Sequence, residues 1–71
     1  MNKIELQGQE IQLKQTTTGA NNLFYFHLPI ETIFTFLDIK LIEKQGYKFI
    51  GIDNIPTVNV MLVSIEKIPF M

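Results

Sequence analysis

Few side chains in this sequence could carry chemistry: one histidine, one serine and seven carboxylates, with no cysteine. His27 could exchange a proton near neutral pH, but a lone histidine in a predicted strand is more often structural. Ser64 lies in the apolar last strand, and a serine nucleophile needs an activating base beside it. Glu31, Asp38 and Glu43 fall at different angles of the predicted helix, which is typical of a solvated acidic rim. We therefore predict no catalytic residue and a protein that is not an enzyme.

Cofactor and metal motifs are missing from the sequence. It has no phosphate-binding glycine loop, no dinucleotide-binding glycine pattern, no EF-hand loop and no zinc-ligand spacing. The prediction is that the chain uses no cofactor and no metal.

One polar loop could hold a ligand. Three hydroxyls and two carboxamides flank Gly19 and could hydrogen-bond a small nucleotide-like molecule. Threonine and asparagine are also common turn residues, so a flexible solvated loop is the alternative interpretation. The possible ligand residues are Thr16, Thr17, Thr18, Asn21 and Asn22.

Charge and composition restrict the partners. The net charge is -1 and the pI is near 5.6, whereas nucleic-acid-binding domains usually carry a basic patch. All six cations are lysines, so the bidentate arginine contact to guanine or phosphate is missing. Nucleic acid is therefore the weakest of the partner hypotheses. The sequence shows no signal peptide and no run of about 20 apolar residues, so we expect a soluble cytoplasmic protein with no membrane partner.

Changes in hydrophobic period predict a small α+β domain that spans residues 1–71. Alternation over residues 3–15 predicts a hairpin that turns near Gly8-Gln9, and residues 23–28 predict a third, aromatic strand. After the helix, residues 47–52 predict a strand, residues 53–56 a turn and residues 57–65 a central strand covered on both faces. The expected order is β-β-β-α-β-β, with one helix on an antiparallel sheet of four or five strands.

The segment from Pro29 to Gly46 predicts a helix. Pro29 suits the first helical position, Glu31 places negative charge at the positive end of the dipole, and Gly46 suits the left-handed C-cap. Its apolar residues occupy two faces instead of one. The first face contains Ile30, Ile33, Phe34, Leu37 and Leu41, and the second contains Phe36, Ile39 and Ile42.

A helix on one sheet buries a single face, so the second face predicts an interface. A chain of this length also has a small core, and oligomerisation is a common way to stabilise such a chain when disulfides and metals are absent. We therefore expect a homo-oligomer or a protein partner at Phe36, Ile39 and Ile42, unless the apolar tail at residues 68–71 or the polar loop covers them.

Small acidic chains with no catalytic constellation are commonly accessory or inhibitor proteins of phages and mobile elements. The first hypothesis is an inhibitor or modulator that docks on a partner protein through its apolar helix face. The alternative is an oligomeric sponge that sequesters a nucleotide-like ligand.

Overall fold

Two antiparallel sheets and one helix make up the computed structural model, which describes residues 2–16 and 22–68. The elements, in chain order, are β1 (Lys3–Leu6), β2 (Gln9–Gln12), β3 (Lys14–Gln15), β4 (Leu23–Pro29), α1 (Phe36–Lys44), β5 (Tyr47–Ile55), a 3₁₀ turn (Pro56–Val58) and β6 (Val60–Lys67). The predicted α+β class, with one helix and antiparallel strands, is confirmed. The strands form a pair, β1-β2, and a four-stranded sheet, β3-β4-β6-β5, instead of one sheet.

The first hairpin is separated from the larger sheet by a bend. Its turn lies at Gln7 and Gly8, with φ of 52° and 77°, as in the type I′ turns that join two-residue hairpins. The turn therefore comes one residue earlier than predicted. Leu13 interrupts the second strand, and its N–H donates to the carbonyl of Asn2 at 2.9 Å. After this bend the chain continues as β3 and pairs with β4, so the β1-β2 hairpin leaves the plane of the larger sheet.

The predicted central position of the last strand is confirmed, because β6 lies between β4 and β5. Met61, Val63 and Ile65 alternate onto one face and are buried. Val60 and Leu62 face the other way and are only half-buried. Cover on both faces was therefore a wrong prediction for the part of the chain that the structure describes.

The second hairpin turn is also displaced from its predicted position. Strand β5 continues to Ile55, which pairs with Val60, and the 3₁₀ turn follows. Asn59 ends this turn in a left-handed conformation at φ 56°. Asn and Asp adopt this conformation more readily than other residues with a Cβ.

The core lies between the inner face of the four-stranded sheet and a second layer made of α1 and the β1-β2 hairpin. Alternate residues of β1, β4 and β6 are buried, β5 contributes Tyr47, and the helix contributes a single fully buried side chain, Ile42. The buried apolar residues are Ile4, Leu6, Phe24, Phe26, Leu28, Ile42, Tyr47, Met61, Val63 and Ile65.

The helix starts seven residues later than predicted, at Phe36 instead of Pro29. Thr35 is the N-cap: its hydroxyl accepts from the N–H of Leu37 at 3.3 Å, and Asp38 Oδ2 accepts from the N–H of Thr35 at 2.8 Å. This capping box satisfies the N–H groups of Thr35 and Leu37. Pro29 instead pairs with Val60 as the last residue of β4.

The predicted stop at Gly46 is close to the observed end of the helix. Gly46 has φ 93°, in the region where glycine is favoured, and Gln45 is the C-cap. The Gln45 side chain connects the helix end to β1: its Oε1 accepts from the N–H of Glu5 and its Nε2 donates to the carbonyl of Glu5, both at 2.8 Å. A side-chain amide thus takes the place of a neighbouring strand at the edge of β1.

Candidate functional site

An exposed apolar surface covers the outer side of α1 and the residues just before it. Four large side chains there retain much of their accessible surface: Ile33 at 79%, Leu37 at 76%, Phe36 at 66% and Leu41 at 38%. We call these four residues the helix patch. Leu37 and Leu41 are one helical turn apart, so their side chains are neighbours on the helix surface.

The predicted interface residues Phe36, Ile39 and Ile42 do not share one surface. Ile42 is completely buried in the core, so it is not available to a partner. Ile39 is half-buried, and only Phe36 is largely exposed. Leu37 and Leu41, predicted to face the sheet, are on the exposed side of the helix. Ile42, predicted to face a partner, is on the covered side. The angle at which the helix rests on β1 and β5 decides this, and the sequence does not encode that angle in its apolar pattern alone.

The hairpin turn holds the entry to the helix. The Nε2 of Gln7 donates to the carbonyl of Ile33 at 3.1 Å and to Asp38 Oδ2 at 3.3 Å. One amide therefore connects the β1-β2 turn to the segment that leads into the helix and to the capping box. Sequence reasoning missed Gln7, since no local pattern relates it to a residue 26 positions away.

The charges around the helix patch differ from the acidic rim that was predicted. Asp38 is engaged in the capping box and with Gln7, so its carboxylate serves the fold. Lys40 lies one turn after Phe36, with its Nζ 5.1 Å from the ring centroid. Lys44 follows one turn later and Glu43 is also exposed, while Glu31 lies in the turn after β4. Lysines, together with one glutamate, therefore border the patch on the helix.

The outer face of the four-stranded sheet carries the histidine. His27 is exposed there, and its ring makes an edge-to-face contact with Tyr25 at a centroid distance of 5.7 Å. Leu62 is its neighbour on β6, and Tyr25 is opposite Ser64. Within residues 2–16 and 22–68, no three His, Cys, Asp or Glu side chains are placed to hold a metal ion.

The predicted ligand loop is only partly described. Thr17, Thr18 and Asn21 lie outside the described residues. The N–H of Thr16 donates to the carbonyl of Leu23 at 3.1 Å, and the carbonyl of Asn22 accepts from the N–H of Lys67 at 2.8 Å. These backbone bonds attach both ends of the loop to strands.

A shallow depression of about 300 Å³ lies close to one end of this loop, lined by Lys44, Gln45, Gly46, Lys67 and Ile68. Two lysines could attract an anion, but the C-terminal end of α1 opens into the same depression and carries partial negative charge. Lys67 is also drawn towards Tyr47, with its Nζ 5.6 Å from the ring centroid. The geometry gives no specific support to a nucleotide site here.

Among the residues described, none of the helices has both the length and the apolar character needed to cross a bilayer. Models of protein families, curated protein sequences and solved structures gave no match to this chain.

Proposed function

We propose that this chain is a small non-enzymatic binding protein that docks on a partner protein through the helix patch and so inhibits or modulates it. The observation that carries the proposal is the exposure of four large apolar side chains within residues 33–41. Isolated exposed apolar residues are normal on protein surfaces, but a concentration on one short element is typical of an interaction site.

The fold makes little use of the patch. The buried anchor of the helix is Ile42, and hydrogen bonds from Thr35, Gln7 and Gln45 fix the two helix ends. Fully burying a leucine or phenylalanine side chain is worth about 1.5–3 kcal/mol, and most of that free energy is still available at Leu37 and Phe36. A partner that covered them would gain it upon binding.

The charges on the helix suggest the chemistry of the partner. Lys40 and Lys44 are exposed on the same helix as Leu37 and Leu41. A complementary surface would offer an apolar pocket for the leucines and carboxylates for the lysines. Charge complementarity of this kind increases the rate of association and selects against basic partners.

The test is a quantitative comparison of proteins captured by three immobilised chains: the native chain, Leu37→Asp and a matched control, Val58→Asp. Val58 is also exposed, at 62%, but lies in the 3₁₀ turn and outside the helix patch. We expect a specific protein that the native chain and the control capture and that Leu37→Asp loses. Thermal unfolding of all three chains verifies that each is folded.

Equal capture by Leu37→Asp and the native chain would contradict the proposal, because a carboxylate at the centre of an apolar interface has to be desolvated without a partner. Loss of capture by both aspartate variants would also contradict it, since that result would not depend on the helix patch.

A further inference from the structure

The most informative unpartnered feature outside the helix patch is the free edge of β5. This strand is nine residues long and is the last strand of the four-stranded sheet, paired to β6 on one side. In the described part of the chain no strand pairs with its other side. A long edge of this kind presents unpaired N–H and C=O groups and is a template for another strand.

Two side chains of β5 are more exposed than is usual for residues on the core side of a sheet. Phe49 pairs with Ile65 and Ile52 pairs with Val63, so both point to the core side. Phe49 is half-buried and its ring stacks on Phe34 at a centroid distance of 5.6 Å, whereas Ile52 remains 36% exposed. An apolar group beyond the edge, on the core side, would cover Ile52 and the part of Phe49 that Phe34 leaves exposed.

Gly51 lies inside β5 beside a bulge and leaves the strand edge open at this point. Its φ is not positive, and a Cβ built there would meet nothing within 4 Å. A glycine inside a strand weakens it, and one reason for its presence is the close approach of another backbone. Gly51 also follows a bulge, since the pairing moves from Phe49 opposite Ile65 to Gly51 opposite Ser64 and leaves Ile50 as the extra residue.

We propose that two copies of this chain pair through β5 in antiparallel orientation, with the two-fold axis at Gly51, to form one continuous eight-stranded sheet. An axis perpendicular to the sheet places each residue opposite a residue that points to the same face. Since Ile50 is extra in both copies, this axis places Phe49 opposite Ile52 of the second copy, and Lys48 opposite Asp53 of the second copy.

The charges favour this register. Each dimer would contain two Lys48–Asp53 pairs on the open face and two Phe49–Ile52 pairs on the core side. Lys48 and Asp53 are exposed, and neither forms an ion pair within the described chain, although Lys48 lies opposite Glu66 on β6. An axis at Phe49 or at Ile52 instead would not bring these opposite charges together. The glycine at the axis leaves room for the bulge residues of both strands.

The first test measures the dissociation constant by analytical ultracentrifugation over a concentration series at low salt. Asp53→Lys would turn each of the two Lys48–Asp53 pairs across the axis into a pair of lysines. We expect roughly a tenfold or greater loss of affinity from this repulsion. The neighbour of residue 53 on β6 is the apolar Leu62, so the change creates no charge clash within one copy. The double variant Lys48→Glu/Asp53→Lys should recover part of the affinity, because it restores the opposite charges across the axis while Glu at position 48 opposes Glu66 within each copy. Glu31→Lys is the control with the same change of charge at an exposed position outside β5.

The second test is zero-length carbodiimide cross-linking of a mixture of ¹⁴N- and ¹⁵N-labelled chains. Five residues of extended strand separate Lys48 from Asp53, roughly 16 Å, so a direct amide between them cannot form within one copy. A cross-linked peptide of mixed isotope composition that joins Lys48 to Asp53 is the expected result.

A native chain that is monomeric up to millimolar concentration would overturn the proposal. A dimer whose dissociation constant is the same in Asp53→Lys would also overturn it. So would a dimer that Leu37→Asp abolishes and Asp53→Lys does not, because the helix patch would then be the self-interface. Since the edge and the patch use different residues, each proposal can fail without the other.

Discussion

Replacement of Gln45 tests how the helix is held on the hairpin. Gln45→Ala removes two hydrogen bonds of 2.8 Å to the backbone of Glu5 and a third, at 3.1 Å, to the carbonyl of Leu41. A hydrogen bond contributes about 0.5–1.5 kcal/mol net, and the lower values apply where water can replace the partner. Because Glu5 is exposed, we expect a loss of about 1–2 kcal/mol in the free energy of unfolding, or roughly 5–15 °C in Tm for a domain of this size.

The assay is urea unfolding followed by circular dichroism, with thermal unfolding as a second measurement. Gln45→Glu is the matched variant, since the carboxylate keeps the acceptor for the N–H of Glu5 but loses the donor to two carbonyls. At pH 7 it should be at least as destabilised as Gln45→Ala, and protonation of the new carboxyl at low pH should recover part of the loss. A free energy of unfolding for Gln45→Ala within about 0.3 kcal/mol of the native value would be no larger than the scatter between independent mutants. That result would show that the amide does not hold the helix.

Three further substitutions test the core, the helix cap and a buried tyrosine, and Leu37→Ala serves as the exposed comparison for the core. Ile42→Ala should cost about 2–5 kcal/mol in urea unfolding because its side chain is completely buried, whereas Leu37→Ala should change the free energy by less than about 1 kcal/mol. Thr35→Ala should cost about 1 kcal/mol through loss of the N-cap, measured in the same way. Burial raises the pKa of Tyr47 in the folded state. Its contribution to the free energy of unfolding is therefore present below the unfolded pKa of about 10 and is lost as the pH rises through the folded pKa. Tyr47→Phe should therefore show a smaller fall in the urea midpoint between about pH 9 and pH 11 than the native chain, and parallel curves would contradict this.

Strands β1, β4 and β6 were the most predictable part of the fold, because each carries its own alternation. Strand β4 has Phe24, Phe26 and Leu28 on one face, and all three are buried. The sequence reasoning failed where two signals competed. Pro29 suits the first position of a helix, but proline is also tolerated at the end of a strand. In the structure it is the last residue of β4 and pairs with Val60.

The sequence does contain a signal for the observed start of the helix. Thr35 and Asp38 have the spacing of a capping box, with aspartate in place of the usual Glu or Gln, and they form it. Given that start, the apolar residues before it belong to a connection and not to a helical face. The bend at Leu13 and the contacts of Gln7 could not have been predicted, because both depend on elements that are distant in the sequence.

The part of the candidate site that could be predicted is its location on the helix, and the part that could not is its orientation. Both sides of α1 contain apolar residues, so periodicity alone did not decide which side faces the sheet. Ile42 occupies the core, and the same helix exposes Leu37 and Leu41. Gln45 and Asp38 form the polar contacts to the hairpin that fix this rotation.

The rotation of the helix separates the residues that stabilise the fold from those that remain exposed. The residues that stabilise the monomer, such as Ile42 and Thr35, are different from those that remain exposed, such as Leu37 and Phe36. Substitution of the exposed residues by polar ones should therefore leave the fold intact, because it removes no buried contact. Exposed leucine is not needed for the helix itself, since lysine or glutamate has a similar helix propensity. Under the function proposed above, a partner protein would cover these side chains, and the free energy of their burial would be gained on binding instead of on folding.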